Sequence, residues 1–331
     1  STSLSTGLSA TADLRSYDAP RASLSSTSIY RDLALGLDAT FTYRTGGLYL
    51  SAGAPMTLER EALHVGAVHD EATRMTVSPF ASLRKGIGQR GELWLRGSYA
   101  QRPDLDSYYS PSPIRRGYRL YYQSLERLYT QERLSGSLRL SYRDPLELFF
   151  AYLQLSYLQT THGYYRDYTF SADRAESIPI DRTHHRETFS IAGAVDRTIS
   201  VLGLSLHAEV KYSHTSYLSS QARSTYPIHS DLLQPNLTMM CNKFAPLELA
   251  YTFELSSMWL HHPLRRLDPL LSLRESVEAA LPLGGAWLIS MQVVHSMNET
   301  SPRHYKHSFF GDLDARWTVS KRLKLSARIA N

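Results

Sequence analysis

The sequence predicts an all-β protein, an antiparallel transmembrane β-barrel. Three observations predict it: hydrophobic and polar residues alternate along most of the chain, the alternating segments are long, and the connections between them are alternately short and long. A repeat of two residues is the period of a strand, whereas a helix needs a repeat near 3.6. Strands of globular proteins average about 5–6 residues, while a tilted strand needs about 9–11 to cross a membrane.

The alternation is clearest near the C-terminus and recurs along the chain. Leu313, Ala315 and Trp317 fall on one face, whereas Asp312 and Asp314 fall on the other. The segments 33–43 and 204–213 follow the same pattern. We expect about 15 strands by this criterion. They cover residues 2–14, 30–44, 48–59, 74–85, 91–102, 130–143, 146–160, 186–199, 203–218, 232–243, 246–260, 269–282, 285–299, 306–319 and 322–330.

The connections between these strands fall into two alternating sets. The short set lies near residues 45–47, 86–90, 144–145, 201–202, 244–245, 283–284 and 320–321. The longer, polar set covers 15–29, 60–73, 103–129, 161–185, 219–231, 261–268 and 300–305. Short turns at one rim and long loops at the other are typical of barrels in the bacterial outer membrane, with the short turns in the periplasm.

Several other classes of protein are disfavoured. The net charge is only +5 and the arginines are scattered, so we expect no nucleic-acid partner. Cys241 is the single cysteine, which excludes an intrachain disulfide framework, and it shares a face with Leu237 and Met239 that we expect to meet lipid. The common nucleotide, hydrolase and metal motifs are missing, so we expect no enzyme and no cofactor. A hydrolytic site at His207 or His295 is the minor alternative.

The strand count predicts an incomplete barrel. Single-chain bacterial barrels have an even number of strands. An odd set whose first and last strands both run outward lacks a closing strand, so we expect residues 1–331 to be one part of a barrel of about 22 strands. A complete barrel of about 14 or 16 strands is the alternative.

Three short segments carry a family resemblance. Residues 77–84 read Val-Ser-Pro-Phe-Ala-Ser-Leu-Arg and resemble a family strand that contains x-P-x-L. After a turn the next strand ends in Ser98-Tyr99, before Arg102-Pro103 opens a long loop. Leu125-Glu126, before the following strand, resemble the family's L-x-x-E entry, although the usual Gly-Asn-Pro is absent. Residues 323–331 resemble the start of an L-x-L-x-x-x-x-N-L-F-N pattern, cut at its first Asn. The chain resembles the barrel half of TonB-dependent receptors of the Bacteroidota type.

The resemblance implies active uptake of a scarce ligand, such as an iron chelate, haem, a peptide or a glycan, across the bacterial outer membrane. It implies the TonB complex as a partner, and lipid with lipopolysaccharide as the surroundings. The plug domain and the TonB-contacting box are not in this sequence, so the energy coupling is implied by the family alone. A passive porin or a structural or adhesion barrel is the alternative, and a soluble β-rich binding protein is a third class.

The longest loops carry the candidate ligand contacts. Arginine pairs with carboxylate or phosphate, and tyrosine rings stack on flat or sugar-like groups. The competing interpretation is a rim that meets lipopolysaccharide phosphates, with an aromatic belt at the interface. The candidates are Tyr108, Tyr109, Arg115, Arg116, Tyr118, Arg119, Tyr164, Tyr165 and Tyr168.

Histidines recur in the same loops, and His184-His185 and His261-His262 are adjacent pairs. Imidazole ligates haem iron and divalent metals. No neighbouring group completes a ligand set in the sequence, so we expect surface histidines without a metal.

Two sets of strand residues are expected to serve the barrel itself. Charged side chains on the polar face would line a hydrated interior, and aromatic residues near strand ends would form girdles at the membrane interfaces. The interior set is Arg96, Arg139, His207, Glu209, Lys211, Asp312, Asp314, Arg316, Lys324 and Arg328. The girdle set is Tyr43, Tyr99, Tyr142, Tyr212 and Trp317.

Overall fold

The computed structural model describes residues 2–18, 27–65, 68–103, 114–115, 120–123, 128–171, 174–221, 223–263, 265–266, 268–284, 286–301, 304–319 and 323–330. These residues form 22 strands that belong to one sheet. One 3-10 turn, Ser200–Leu202, is the only helical segment within the described ranges. No helix in those ranges is long and apolar enough to cross a membrane.

Most strands form one continuous wall. The first half contains β1 (Thr2–Asp18), β2 (Thr27–Thr45), β3 (Leu48–Gly53), β4 (Met56–Val65), β5 (Val68–Val77), β6 (Phe80–Ile87), β7 (Gly91–Pro103), β10 (Thr130–Asp144) and β11 (Phe149–His162). The second half contains β14 (His184–Ile199), β15 (Leu204–Gln221), β16 (Ser224–Cys241), β17 (Glu248–His262), β19 (Leu270–Leu283), β20 (Trp287–Ser301), β21 (His304–Thr318) and β22 (Lys324–Ala330). Five short strands lie in the loops: β8 (Ile114–Arg115), β9 (Leu120–Tyr122), β12 (Tyr165–Phe170), β13 (Ala175–Ile180) and β18 (Arg265–Arg266).

Each wall strand pairs antiparallel with its neighbours in the wall. Strand β2 pairs with β1 and with both β3 and β4; β4 pairs with β5 and β3 with β6, and the ladder continues through β7 and β10 to β11. It continues through β14, β15, β16, β17, β19, β20 and β21 to β22. Because every connection joins neighbours, the meander predicted from the alternation is confirmed as an antiparallel sheet.

Two prolines divide long strands of the wall. Pro55 separates β3 from β4, and Pro79 separates β5 from β6; proline has no N–H to donate to the ladder. Both carbonyls still accept, from Ser78 N at 2.8 Å and from Tyr99 N at 2.9 Å. When each divided strand is taken as one, the wall has the 15 segments, in the same order, that the sequence predicts.

Gly53 sits beside the first of these breaks. A Cβ at this position would lie 2.7 Å from the Phe80 ring and 2.8 Å from the Ala39 carbonyl oxygen. The ring of Phe80 therefore covers Gly53, and a larger residue at position 53 would displace the ring.

The short turns all lie at one rim, which we call the turn rim. They cover 46–47, 88–90, 145–148, 200–203 and 242–247, and the short connections from β19 to β20 and from β21 to β22 lie at the same rim. The opposite, loop rim departs from the prediction, because three of the predicted loops are largely strand. Strand β4 ends at Val65 and β5 begins at Val68. In the same way, β15 ends at Gln221 and β16 begins at Ser224, and β20 ends at Ser301 and β21 begins at His304. Polar residues in these stretches continue the backbone ladder, so composition alone misassigned them.

Four of the loop strands form a small sheet on the loop rim. Strands β12 and β13 pair as an antiparallel hairpin, β13 runs parallel to β9, and β9 pairs with β8. The hairpin joins the wall where β12 runs parallel to the end of β15. The predicted loops 103–129 and 161–185 thus contain ordered strands that extend the wall.

The wall has two unpaired edges among the described residues. There, β1 pairs only with β2, and β22 pairs only with β21. Both edge strands run from the turn rim toward the loop rim, as the sequence predicts. The sheet is open between them, so the predicted barrel size of about 22 strands stays a prediction.

Candidate membrane surface and polar face

One side of the wall is lined by large hydrophobic residues, and we call it the apolar face. A row of cross-strand partners on it contains Leu50, Leu83, Leu95, Leu138 and Leu155. These side chains are not covered by a second layer, since Leu95 is 49% exposed. Other exposed members of this face are Leu37, Phe41, Leu58, Leu140, Leu153, Ile191, Val195, Val210, Val277, Ile289, Met291, Val293 and Leu313.

Aromatic residues border this apolar band. At the turn rim, Trp287 and Trp317 stack with ring centroids 5.2 Å apart, and Tyr142 lies 6.0 Å from Phe149. All five predicted girdle residues project from the apolar face, by the strand register. An apolar band edged by rings that combine apolar and polar atoms suits a lipid interface.

A row of polar residues lies on the apolar face, between the apolar band and the loop rim, and it was not predicted. Asp231 accepts hydrogen bonds from Tyr212 at 2.5 Å, from His214 Nδ1 at 2.8 Å and from His261 Nε2 at 3.0 Å. These four residues come from three adjacent strands, β15, β16 and β17. Only the register brings them together, so no local motif could have indicated the cluster.

A second carboxylate cluster continues this row. Glu275 accepts from Tyr251 at 2.9 Å and from His295 Nδ1 at 3.1 Å. The other ring nitrogen of His295 lies 3.0 Å from His307 Nδ1. The histidines in this row are therefore oriented by carboxylates or by each other.

The opposite side of the wall is polar, and we call it the polar face. Asp312 pairs with Arg328 at 2.5 Å, and Asp314 pairs with Arg316 at 2.9 Å. All ten predicted interior residues project from this face, by the strand register. Charges of both signs that pair within and between strands are suited to a hydrated surface.

A buried ion pair joins the polar face to a loop. Glu61 is fully buried, and its Oε2 lies 3.1 Å from Arg74 Nη1. Arg74 also donates to the Leu128 carbonyl at 3.1 Å, and the Leu128 amide donates to Asp70 Oδ2 at 2.8 Å. Leu128 precedes β10, so the end of the long loop is held against the polar sides of β4 and β5.

The candidate ligand residues do not share one location in the structure. Tyr108, Tyr109, Arg116, Tyr118 and Arg119 lie outside the described residues. The backbone of Arg115 belongs to β8, opposite Tyr121.

The candidates on the second loop lie in or beside β12. Tyr164 and Tyr165 are only 6% and 7% exposed, so they pack within the loop sheet rather than face solvent. Tyr168 is half-buried; burial raises the pKa of its hydroxyl, and a hydrogen bond with Tyr122 raises it further. A ligand role for the described candidates stays a prediction.

Two residues that the sequence analysis did not single out hold this loop sheet together. The Arg166 guanidinium lies over the Tyr122 ring at 5.0 Å and donates to the Gln123 carbonyl at 3.0 Å. Asp167 is buried and accepts from Ser220 Oγ at 2.6 Å and from the Arg223 amide at 3.0 Å. Both interactions join separate loops, so no local sequence pattern could indicate them.

The adjacent histidine pairs do not act as units. His184 stacks on His162 at 5.1 Å, whereas His185 is 2.9 Å from Thr161 Oγ1. His261 contacts Asp231, and His262 lies 5.4 Å from the Tyr226 ring. In the part of the chain that the structure describes, no group of three or more His, Cys, Asp or Glu side chains is spaced to hold a metal.

The remaining candidate residues, two histidines and the cysteine, each belong to one of the two faces of the wall. His207 is 2.5 Å from Asp196 on the polar face, and His295 lies on the apolar face. Cys241 lies between Leu204 and Leu249 on the apolar face, as the sequence predicts.

Comparison with known proteins gives structural likeness only. No family model matches the sequence, and no curated protein matches it. Among solved structures, the chain is similar to OmpT, an outer membrane protein of Vibrio cholerae, with a TM-score of 0.38, 8% identity, and coverage of 96% of each chain. It is similar to the β domain of the Bordetella autotransporter BrkA, with a TM-score of 0.27, 7% identity, and coverage of 95% of this chain and 98% of that one. At these TM-scores the likeness identifies no relative.

Proposed function

We propose that the chain forms the wall of a transmembrane β-barrel in a bacterial outer membrane. One observation carries the proposal: the apolar face of the sheet is exposed and bordered by aromatic rings. In water, an uncovered apolar surface of this extent would drive association with other surfaces. In a bilayer it would face lipid, while the backbone groups of the strands between the two edges are satisfied by their neighbours.

We further propose that this barrel takes up a ligand as a TonB-dependent receptor. The support is the resemblance at residues 77–103, 125–126 and 323–331. The polar face adds a chemical argument, because it offers paired charges that a plug or a solute in a hydrated interior would contact.

Growth and transport experiments test this function. A strain lacking the gene is expected to lose growth on one scarce iron or carbon source, and a strain lacking TonB is expected to show the same defect. Reintroducing the complete gene should restore growth only where TonB is present. Loss of growth that ignores TonB would contradict the proposed energy coupling.

Passive diffusion is the second candidate function, because the polar face carries many small hydroxyl residues that leave space for water. Serines of β7, β10 and β11 share this face, and Ser98 and Ser135 lie within 2.7 Å of each other across two strands. If the protein is a porin, vesicles that contain it should leak small solutes without TonB or an energy source. A TonB-dependent receptor expressed from the complete gene, with its plug domain in the barrel, would keep such vesicles sealed.

A further inference from the structure

A single row on the polar face alternates arginines with aromatic rings across five neighbouring strands. In order across β2, β3, β6, β7 and β10, the row contains Arg44, Tyr49, Arg84, Trp94 and Arg139. Every member is the cross-strand partner of the next one. We call this set the arginine–aromatic row.

Contacts along the row are of the kind that guanidinium groups make with rings. Arg44 lies over Tyr49 at 5.3 Å, and Arg139 lies over the Tyr152 ring of β11 at 4.2 Å. Stacking covers the flat side of a guanidinium but leaves its N–H edge in the plane, where it can meet an anion. The row is accessible, since Trp94 is 41% exposed and the Arg84 side chain is 62% exposed.

The charge of this region is positive. The concavity around the row is lined by Arg44, Arg84 and Arg139 with one carboxylate, Glu92. Glu92 accepts from Arg84 Nη2 at 2.9 Å. The surplus of guanidinium groups would attract an anion.

The part of the polar face near β17 to β22 carries more negative than positive side chains. A second concavity, near the turn rim of β17 to β22, is lined by four carboxylates and two arginines. These residues are Glu248, Glu278, Asp312, Asp314, Arg316 and Arg328. An anion in contact with the polar face would therefore favour the arginine–aromatic row.

We propose that the arginine–aromatic row binds an extended organic polyanion that carries rings between its charges. Adjacent strands are about 4.8 Å apart, so successive arginines of the row repeat at about 10 Å. An anion with negative groups at that spacing would pair with the edges of Arg44 and Arg139, and with that of Arg84 in exchange for Glu92, which now holds its Nε and Nη2. Its rings would lie on Tyr49 and Trp94. The placement of this face inside a barrel rests on the proposed function, whereas the binding chemistry does not.

Binding of three probes to the protein in detergent micelles tests the proposal. Hexagalacturonate carries both rings and charges, maltohexaose carries rings alone, and polyphosphate carries charges alone. By titration calorimetry, hexagalacturonate should bind more tightly than either of the others. Equal affinity for polyphosphate, or no saturable binding of hexagalacturonate, would overturn the proposal.

Variants separate the two parts of the row. Arg139→Gln should weaken hexagalacturonate binding about tenfold, the loss typical of one charge-assisted hydrogen bond. Trp94→Leu should weaken hexagalacturonate binding and leave polyphosphate binding unchanged. Arg328→Gln, on the acidic part of the same face, is the matched control and should change neither. If Arg139→Gln and Arg328→Gln behave alike, the row is not the site.

The same samples distinguish this proposal from the membrane proposal. Binding in micelles needs no bilayer, so it can fail while the apolar face still meets lipid. Conversely, binding at the row with no insertion into vesicles would refute the membrane placement alone.

Discussion

Leu138 and Ser137 are neighbours in β10 that project from opposite faces of the wall. Leu138 lies between Leu95 and Leu155 on the apolar face, whereas Ser137 lies between Arg96 and Ser156 on the polar face. At the scale of the residue, the proposed membrane function depends on this alternation of apolar and polar side chains. A charge should therefore be costly at one position and tolerated at the next.

Leu138→Arg is expected to destabilise the protein in a bilayer. A cationic side chain on the lipid face near mid-depth costs about 2–4 kcal/mol. Guanidinium-induced unfolding from phospholipid vesicles measures this change in the free energy of unfolding. Ser137→Arg is the control, and we expect its cost to be much smaller. Equal costs for the two variants would indicate that both faces meet the same surroundings.

Asp70 holds the end of the long loop through the Leu128 amide. Asp70→Ala should speed hydrogen exchange of that amide about tenfold, because a hydrogen bond to a charged acceptor contributes about 1.5–3 kcal/mol. Glu71→Ala changes an exposed neighbour whose partners are Arg60 and His69, and it should leave the Leu128 amide unaffected. Exchange that is unchanged in Asp70→Ala would show that the loop is held by other contacts.

At the scale of the element, the order and direction of the wall strands follow from the alternation. Period-two patterning survives along each wall strand because one face must be apolar and the other polar. The ends of the strands do not follow from it, since polar stretches such as 60–65, 68–73 and 224–231 continue the ladder beyond the apolar band. Neither did the sequence predict the loop sheet, because its parallel pairings join segments far apart in the chain.

The attachment of β12 to β15 depends on one buried carboxylate. Asp167→Ala removes the acceptor of Ser220 Oγ and of the Arg223 amide. We expect faster hydrogen exchange at Arg223 by at least about tenfold. Strand β14 should keep its protection, because it belongs to the wall. Thr169→Ala, at an exposed position of the same strand, should change neither. Faster exchange along the whole wall, or unchanged exchange at Arg223, would contradict this local role.

At the scale of the whole molecule, the sequence predicted the two faces but not what register assembles on them. Arg44, Tyr49, Arg84, Trp94 and Arg139 come from five strands, and no local pattern places them in one row. The carboxylate–histidine clusters at Asp231 and Glu275 arise in the same way. The alternation predicts on which face a side chain lies. Its neighbours on that face depend on the register in which the strands pair.

The direction of the wall's two edges is also a property of the whole molecule. Strands β1 and β22 run the same way, so an antiparallel barrel that includes both needs an odd number of further strands between them. This parity agrees with the sequence prediction, and it does not determine how many strands the barrel has.

Quenching by brominated phospholipids tests the central claim most directly. In a variant whose four tryptophans are replaced by phenylalanine, a single tryptophan is introduced in β11 as Leu155→Trp or as Gln154→Trp. These neighbours project from opposite faces. If the apolar face meets lipid, bromine at mid-chain should quench the fluorescence of Leu155→Trp strongly and that of Gln154→Trp weakly, while aqueous iodide should do the reverse. Equal quenching of the two by bromolipid, or iodide access to both, would contradict the account.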